Sequence, residues 1–409
     1  MTELAVEVEP GEVGFDATRL ARIGAYLQRY LDDGLLPGYL LAVTRYGRVA
    51  YLATGGWQHV EDRVPLRTDS LFRIYSMTKP ITTVAAMMLY EQGQFELSTP
   101  VSRFIPAFAD VRAYAGGSDL KPLSVPATEP MRMGHLLTHT SGLTYGFHRT
   151  HPVDALYRAA GFEWGYPADV DLASACDIWA GLPLLYQPGA EWAYSVATDV
   201  LGRVVEVLSG QTLEEYFAEH ILGPLGMADT SFGVPAAKTA RLARLYLAAP
   251  GGGIVAGDTL GAEPLQRTLF SGGGGLVSCA HDYHRFSQLL RRGGELDGVR
   301  LLGPRTLAYM TRNHLPGGAD LDQFGRPVFA ETPLRGVGFG LGFSVVIDPV
   351  RAGTLGNAGE YGWGGAASTA FFIDPVEQTT LLFFTQLLPS STLPLRTYLR
   401  QLVNQALVA

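Results

Sequence analysis

Apolar residues recur at helical spacing near both ends of the chain. Residues 16–33 and 395–407 each carry an apolar stripe with the period of an α-helix, and Gly34 follows the first segment as a stop signal. The stripe of the first segment consists of Leu20, Ile23, Leu27 and Leu31. We predict an amphipathic helix at each end, and we expect both helices to cover the same sheet.

Strand-like runs lie beside both of these predicted helices. Residues 39–46 and 48–55 are rich in β-prone residues around a short turn and predict an antiparallel hairpin. Toward the other end, residues 337–345 alternate apolar side chains with Gly and Ser. Residues 366–373 and 379–387 add two runs with a short connection between them. The short connections indicate antiparallel pairing.

The middle of the chain differs, because its periodic segments are helical and are separated by long loops. The predicted helices cover residues 133–138, 171–181, 197–208, 212–222 and 281–291. The pattern predicts an α+β fold in which one antiparallel sheet is built from both ends of the chain. We therefore predict a sheet domain of residues 1–105 and 295–409 and a mainly helical domain of residues 106–294. The cleft between them is the natural ligand site.

Composition excludes several classes of protein. Of the 409 residues, 47% are hydrophobic, which is enough for a large core, and 17% are charged. The formal net charge of −8 leaves no excess of positive charge for nucleic acid or for an anionic membrane. Two cysteines, Cys176 and Cys279, are too few for a disulfide scaffold. The expected partner is a small molecule.

The N-terminal segment favours a cytoplasmic location. Residues 1–15 contain several glutamates, no lysine or arginine, and no apolar stretch of signal-peptide length. The longest apolar runs of the chain are far shorter than the ~20 residues that cross a bilayer. Neither secretion nor membrane insertion is indicated, so the cytoplasm is the default expectation.

A serine and a lysine three residues apart are the strongest candidates for chemistry. Ser76 and Lys79 lead into an apolar face at helical spacing that ends at Gly93. Because Pro80 is tolerated only in the first turn, the helix should begin near Ser76. The hydroxyl then faces the positive end of the helix dipole, with Lys79 one turn along the same face. A nucleophilic serine needs a nearby base, and a lysine among apolar groups can serve as one.

The Ser-x-x-Lys pattern is short and leaves a second interpretation open. Ser76 would then be an ordinary N-cap and Lys79 a first-turn residue. The pattern also occurs at Ser118 and Lys121, in a polar loop where nothing holds the side chains in register. We interpret that second match as chance.

Other catalytic and metal-binding signatures are missing from the sequence. It has no His-Glu-x-x-His, no Walker loop and no Gly-x-Ser-x-Gly. His281 and His284 are three residues apart on a predicted helix, but no other ligand-rich segment accompanies them, so packing or surface roles are favoured. The four glycines at 272–275 predict a tight loop that passes close to another backbone. We expect no metal and no cofactor.

Further segments, in the same chain order, resemble a known superfamily. Tyr194-Ser195-Val196 precedes a predicted helix, Trp363-Gly364-Gly365 leads into a strand-like run, and residues 136–143 are Leu-Leu-Thr-His-Thr-Ser-Gly-Leu. Together with Ser76-x-x-Lys79, these segments resemble the penicillin-recognising serine enzymes. The resemblance is strongest to the family VIII carboxylesterases, which are related to class C β-lactamases, and it runs from about residue 14 to the C-terminus.

The resemblance implies both a fold and a set of roles. The fold would be β-lactamase/transpeptidase-like, with a five-stranded antiparallel sheet flanked by terminal helices and a helical domain inserted in the middle. Ser76 would be the nucleophile, with Lys79 and Tyr194 as the shared base. The backbone N–H groups of Ser76 and Ala366 would hold the oxyanion. Beside a cation, Tyr194 can exchange protons with Ser76 and later with the leaving alkoxide.

Two departures from the β-lactamases favour an uncharged ester as substrate. Those enzymes usually have Tyr-x-Asn where this chain has Val196 in the third position, and Lys-Thr-Gly where it has Trp363, Gly364 and Gly365. Val196 cannot hydrogen-bond an acylamide, and Trp363 offers an apolar face in place of a cation. We expect Trp363, Gly364 and Gly365 to line the substrate site.

Aromatic residues after the 136–143 segment are candidates for the rest of the pocket. Tyr145 and Phe147, with Trp164, would give it an apolar wall, and packing inside the helical domain is the alternative for each of them. His139 is expected to be structural, because the family that the chain resembles takes its base from lysine and tyrosine.

Four functions are compatible with these residues. The expected one is a serine esterase that cleaves small uncharged carboxylic esters through an acyl-enzyme on Ser76. An acyltransferase of the lovastatin-synthesis type differs only in the acceptor that replaces water. A β-lactamase or D-Ala-D-Ala peptidase is disfavoured by the missing signal peptide and by the missing Asn and Lys. A non-catalytic binding protein is disfavoured because Ser76, Lys79 and Tyr194 occur together.

Overall fold

The computed structural model describes residues 3–257, 268–326 and 334–409, and one large antiparallel sheet organises them. Its eight strands, in chain order, are β1 Gly38–Arg45, β2 Arg48–His59, β3 Val64–Pro65, β4 Val337–Phe339, β5 Ser344–Val346, β6 Tyr361–Gly364, β7 Ala370–Asp374 and β8 Thr379–Phe384. In space the order is β4-β5-β6-β7-β8-β1-β2-β3, and every neighbouring pair is antiparallel. The two ends of the chain meet at the β8–β1 pair, as predicted.

The sheet has more strands than the resemblance implied, and one predicted run is divided. Eight strands replace the expected five, and short strands of two or three residues form both edges. Residues 337–345 do not form one strand, because the chain reverses at residues 340–343 between β4 and β5. The reversal is closed by a hydrogen bond from Gly340 N to Phe343 O and uses Gly342 at a φ of 82°.

The strand expected over residues 366–373 also has different bounds. Residues 365–369 form a turn, closed by a hydrogen bond from Gly365 N to Thr369 O, and β7 begins only at Ala370. Trp363 and Gly364 belong to a separate strand, β6, which the sequence pattern did not predict.

Helices occupy both ends and most of the middle of the described chain. They are α1 Ala17–Asp32, α2 Thr78–Glu91, α3 Met133–Leu137, α4 Pro152–Ala159, α5 Leu172–Gly181, α6 Ala197–Ser209, α7 Leu213–Phe217, α8 Ala280–Arg291, α9 Pro304–Met310, α10 Leu321–Phe324, α11 Pro349–Ala352 and α12 Leu395–Asn404. The predicted helices correspond to α1, α2, α3, α5, α6, α7, α8 and α12, and a π-helical turn, Ala218–Leu222, extends α7. A hairpin of Arg112–Gly117 and Pro122–Pro126 was not predicted.

Side chains of the central strands alternate between two cores. In β1, Leu41 and Val43 pack in the core formed with α1 and α12, whereas Leu40 and Ala42 pack in the core that includes α2 and α8. All four are fully buried, and each buried leucine contributes about 1.5–3 kcal/mol relative to an exposed one. The terminal helices therefore cover one face of the sheet together, as predicted.

The predicted helical segment contacts the sheet at one end of its range. Tyr283 of α8 packs its ring against Phe371 and Phe384, with centroids 5.2 and 6.3 Å apart. α6 packs on α2 and α3, and β6 contacts the turn that precedes α2. The domain boundaries at residues 105 and 294 stay a prediction. Within the described ranges, no helix is long and apolar enough to cross a membrane.

Candidate active site

Ser76 lies in a tight turn that leads directly into α2. Tyr75–Met77 form a 3₁₀ turn, and α2 begins at the next residue. Pro80 is the third residue of α2, within the first turn as predicted. Tyr75 has a φ of 44°, a left-handed conformation that is uncommon for a bulky residue. Ser76 is half-buried and lines a large cavity, so the turn presents its hydroxyl to open space.

Lys79 is almost completely buried beside Ser76, with 2% of its surface exposed. Its Nζ donates to Ser76 Oγ at 3.4 Å, to Tyr145 Oη at 2.9 Å and to the Gly273 carbonyl at 2.6 Å. Three polar groups of the chain therefore surround this nitrogen. The contacts hold the amine next to the serine hydroxyl, as proton exchange between the two groups requires.

Tyr194 lies against the same lysine but contacts it through its ring. Lys79 Nζ is 4.5 Å from the centroid of the Tyr194 ring, a cation–π distance. The Tyr194 hydroxyl accepts a hydrogen bond from Trp363 Nε1 at 3.3 Å, and its carbonyl is 2.8 Å from His148 Nε2. The structure thus brings together Ser76, Lys79 and Tyr194.

Tyr145 has a polar contact that the sequence did not indicate. Its hydroxyl, not that of Tyr194, accepts the hydrogen bond from Lys79. Burial raises the pKa of Tyr145 well above its ordinary value, so the group is a neutral phenol. The ring also stacks on Phe147, with centroids 4.7 Å apart. Tyr145 therefore joins the lysine to the aromatic wall of the cavity.

His139 is buried beside Tyr194, where its ring packs on the tyrosine and forms a hydrogen bond with a neighbouring serine. Its ring lies 5.0 Å from the Tyr194 ring, and its Nδ1 is 3.2 Å from Ser195 Oγ. Burial lowers the pKa of His139 well below the ordinary histidine value, and the charge of Lys79 lowers it further. A neutral, enclosed imidazole agrees with the structural role expected from the sequence.

Asp199 is a buried acid near the lysine that sequence analysis missed. It lies on α6, fully enclosed, and accepts hydrogen bonds from Ser271 Oγ at 2.5 Å, Gly273 N at 3.0 Å and Tyr166 Oη at 3.3 Å. Burial raises the pKa of this carboxyl, although Lys79 opposes the rise. In the predicted helix Asp199 shares a face with Arg203 and Glu206, so the sequence pattern gave no signal that this carboxyl would be buried.

The glycine run at 272–275 passes close to another backbone, as predicted. A methyl group at Gly272 would lie 2.9 Å from the Thr198 carbonyl, and one at Gly273 would lie 2.3 Å from a carboxylate oxygen of Asp199. The absence of side chains lets Gly273 bond Asp199 through its N–H and Lys79 through its carbonyl. One residue thereby links the buried carboxylate to the lysine.

The turn at residues 365–369 brings a second backbone segment to the cavity. Ala366 lines the cavity together with Ser76. A methyl group at Gly365 would lie 2.4 Å from the Ile74 carbonyl, two residues before Ser76, so only glycine allows this approach. Within the described residues, the Ala366 N–H makes no hydrogen bond to the chain. It is therefore available to an oxygen in the cavity.

The cavity has a volume of about 580 Å³ and is bounded by both parts of the fold. All five residues expected to bind substrate line it, namely Tyr145, Phe147, Trp363, Gly364 and Gly365. Phe147 stacks on Trp164 at 4.7 Å, which extends the aromatic wall to a half-exposed ring. Volume and lining are typical of a site for a small, largely apolar molecule.

The two departures from the β-lactamase pattern have different positions. Trp363 lines the cavity, whereas Val196 is the N-cap of α6, is 1% exposed and packs in the core. The apolar replacement at 363 therefore changes the cavity surface directly. Val196 does not line the cavity, and its effect is the removal of a polar group beside Tyr194.

The second Ser-x-x-Lys match and the two histidines of α8 lie outside the cavity. Ser118 and Lys121 lie in the exposed turn of a hairpin and bond each other through the backbone. His284 is buried in α8, and His281 is near Asp282 at 3.2 Å. The described residues contain no group of three His, Cys, Asp or Glu side chains placed to hold a metal ion.

Comparisons with known proteins agree with this geometry. The sequence matches the β-lactamase family profile over residues 23–405. Esterase EstB of Burkholderia gladioli is 32% identical over 401 residues, which cover 93% of this chain and 94% of EstB. EstCE1, a hydrolase with promiscuous acyltransferase activity, has a similar structure, with a TM-score of 0.78 and 28% identity over 95% of this chain and 99% of EstCE1.

A further solved structure extends the likeness to acyl transfer. A variant of simvastatin synthase from Aspergillus terreus has a TM-score of 0.80 at 25% identity, over 96% of this chain and 94% of the synthase. The family profile covers most of the chain. EstB and EstCE1 each match this chain along nearly their whole lengths. This chain therefore belongs to the β-lactamase family and, within it, to the family VIII esterases, which are serine hydrolases that act on esters.

Proposed function

We propose that the protein is a carboxylesterase whose acyl-enzyme forms on Ser76. The observation that carries the proposal is the Ser76–Lys79 pair, which is held by Tyr145 and Gly273 at the start of α2 and opens into an apolar cavity. An N-cap serine with a first-turn lysine does not require that enclosure. The simpler interpretation of the motif therefore leaves the burial of the Lys79 side chain unexplained.

The reaction follows from the positions of these groups. Ser76 Oγ attacks the ester carbonyl carbon, and its proton passes to the base formed by Lys79 and Tyr194. The carbonyl oxygen becomes an oxyanion, which the N–H groups of Ser76 and Ala366 stabilise. The C–O bond to the alcohol then breaks, and the alkoxide leaves with the proton. A water molecule attacks the acyl-enzyme in the same way and releases the acid.

The cavity wall favours a small uncharged ester. Its apolar side includes the stacked rings of Tyr145, Phe147 and Trp164, and Trp363 of β6 also lines the cavity. Three arginines also line the cavity, but each bonds the chain itself: Arg73 donates to Ala243 O, Arg396 to Gly365 O and Thr369 O, and Arg400 pairs with Glu360. These bonds hold the three guanidinium groups in the wall, and the stacked rings supply the apolar surface for the acyl or alcohol group.

Acyl transfer to an alcohol is the second candidate. The acyl-enzyme would be the same, and an alcohol in place of water would attack it. EstCE1 is described as having promiscuous acyltransferase activity, and it resembles this chain along nearly its whole length. The chain's open, apolar cavity can hold an organic acceptor beside Ser76.

A panel of substrates separates these functions. Purified enzyme is given p-nitrophenyl acetate and butyrate, a chromogenic cephalosporin and a D-Ala-D-Ala peptide, and then an ester together with a simple alcohol. We expect kcat/KM for the esters to exceed that for the cephalosporin by about 10²- to 10⁴-fold, because polar contacts to the acylamide and carboxylate are missing. A preference for the cephalosporin would identify a β-lactamase instead. Transesterified product in excess of acid would identify an acyltransferase.

A further inference from the structure

The turn that carries the Ala366 N–H is strained and heavily bonded. Ser368 has a φ of 67°, in the left-handed region that is unfavourable for a non-glycine residue. Its Oγ donates to Leu387 O at 2.8 Å, and Leu387 N donates to the Ala367 carbonyl at 3.2 Å. A conformation of this kind persists only where its surroundings determine it.

One guanidinium group joins both ends of this turn. Arg396 Nη2 donates to the Gly365 carbonyl at 2.6 Å and to the Thr369 carbonyl at 3.0 Å. These two carbonyls flank the turn, and each also accepts a backbone hydrogen bond from within it, from Ser368 N and from Gly365 N respectively. The same nitrogen therefore fixes the distance between the first and last residues around Ala366.

The position of Arg396 in its own helix is unfavourable by itself. It is the second residue of α12, where the positive end of the helix dipole repels a cation. The side chain also requires space on β6, since a methyl group at Gly364 would lie 2.5 Å from the guanidinium carbon. The helix therefore carries this cation at an unfavourable position, and the Trp363-Gly364-Gly365 segment leaves space for its side chain.

We propose that Arg396 is a positioning residue for the oxyanion hole. The proposal rests on the function given above, in which the Ala366 N–H stabilises the oxyanion. Arg396 does not touch the reacting atoms. Its two bonds hold residues 365–369 so that the Ala366 N–H meets the oxyanion at hydrogen-bond distance. Displacement of this N–H donor weakens stabilisation of the transition state more than that of the ground state, because negative charge develops on the oxygen only in the transition state.

The test compares three purified variants with the wild type. Arg396→Met keeps the length of the side chain and removes its donors, and Arg396→Lys keeps the charge. Arg22→Met is the control, because Arg22 bonds the C-cap residue of α12, Gln405, through its Oε1 at 2.9 Å, but lies away from the turn. For each protein, kcat is expressed per Ser76 that a fluorophosphonate titrates, and Ki is measured for an arylboronic acid, which forms a tetrahedral adduct on serine.

We expect Arg396→Met to lower kcat by about 10- to 100-fold with KM changed less than threefold, since loss of a whole oxyanion donor costs about 10²- to 10³-fold. The boronic acid Ki should rise by the same factor, Arg396→Lys should recover part of the loss, and Arg22→Met should match the wild type. If Arg396→Met does not fold, the lysine variant decides, by a smaller decrease in kcat matched by an equal rise in the boronic acid Ki.

A lower melting temperature with unchanged kcat per titrated serine and unchanged boronic acid Ki would overturn the proposal, because it would show a purely structural role. Failure of the proposed function has a different signature. The wild type itself would then neither react with the fluorophosphonate at Ser76 nor hydrolyse the esters.

Discussion

The chain contains the same four-residue pattern twice, in two very different places. At Ser76 and Lys79, the lysine is 2% exposed and its amine bonds the serine hydroxyl, a phenol and a carbonyl. At Ser118 and Lys121, both residues are exposed, and Ser118 Oγ accepts from the backbone N–H of the lysine, not from its amine. The chemistry therefore comes from the helix start and the enclosure, and the pattern alone does not provide it.

Replacement of each serine by alanine should give the largest difference between the two sites. Ser76→Ala should lower kcat by roughly 10³-fold or more, because the covalent intermediate cannot form. Ser118→Ala should retain wild-type turnover. Ester hydrolysis and mass spectrometry after fluorophosphonate treatment check both variants, and label found on Ser118 or Ser141 would refute the assignment of the nucleophile.

The two lysines should differ almost as much. We expect Lys79→Ala to lower kcat by roughly 10³-fold, since the serine then loses its adjacent base, and Lys121→Ala to have no effect beyond about twofold. Steady-state kinetics on a p-nitrophenyl ester provide the measurement. Near-normal turnover of Lys79→Ala would rule out the lysine as part of the base.

Variants of the two tyrosines that contact Lys79 test which of them takes part in proton transfer. Tyr194→Phe should lower kcat by roughly 10²-fold or more, and its combination with Lys79→Ala should be little worse than Lys79→Ala alone, because groups that act as one unit are not additive. Tyr145→Phe removes one hydrogen bond to a charged group and should lower kcat about 10-fold. A larger loss in Tyr145→Phe than in Tyr194→Phe would instead give Tyr145 the main proton-transfer role.

A variant of Asp199 tests whether this carboxylate helps to hold Lys79 in place through Gly273. Asp199→Asn should lower kcat about 10-fold with little change in KM, because the carboxylate fixes Gly273, whose carbonyl binds Lys79. Asp177→Asn, an exposed change on α5, is the control. Equal kinetics of the two variants would show that the contact through Gly273 does not position the lysine.

Acid sensitivity should also come from buried groups rather than exposed ones. Burial lowers the pKa of His284 from 6.5 to about 4, so the neutral form stabilises the fold above pH 6.5 and this contribution disappears as the pH falls toward 4. The loss is about 3 kcal/mol over that window. Urea denaturation of wild type and His284→Leu at pH 7 and pH 4 measures it, and the variant should lose less stability. Identical losses would contradict the shift.

Local signals in the sequence were sufficient for the elements on which the site depends. Asp16 caps α1 through its side chain, Thr212 and Glu215 form the capping box of α7, and Tyr46 and Gly47 adopt the positive φ values of a tight hairpin turn. Each signal acts within a few residues. Helix starts, the first hairpin and the position of Ser76 could therefore be predicted without knowledge of the tertiary structure.

The parts that were missed depend on residues far apart in the chain. Tyr145 meets Lys79 across 66 positions, and Asp199 meets Gly273 across 74. No spacing rule connects such residues, and their contacts follow only from how α2, α6 and the glycine run pack. The extra strands of the sheet were missed for a related reason, since strands of two to four residues are stabilised by their neighbours and carry little pattern of their own.

The close approach of Gly365 to the Ile74 carbonyl also determines how this enzyme can change in laboratory evolution. The two walls of the cavity should differ in how well they tolerate substitution. In one wall, backbone packs directly against backbone, whereas the other wall consists of aromatic side chains that can be exchanged. Libraries at Gly364 and Gly365 should yield mostly inactive clones, whereas libraries at Phe147 and Trp164 should yield active clones with altered acyl or alcohol preference. New substrates are therefore accessible through one wall, while the catalytic geometry is preserved by the other.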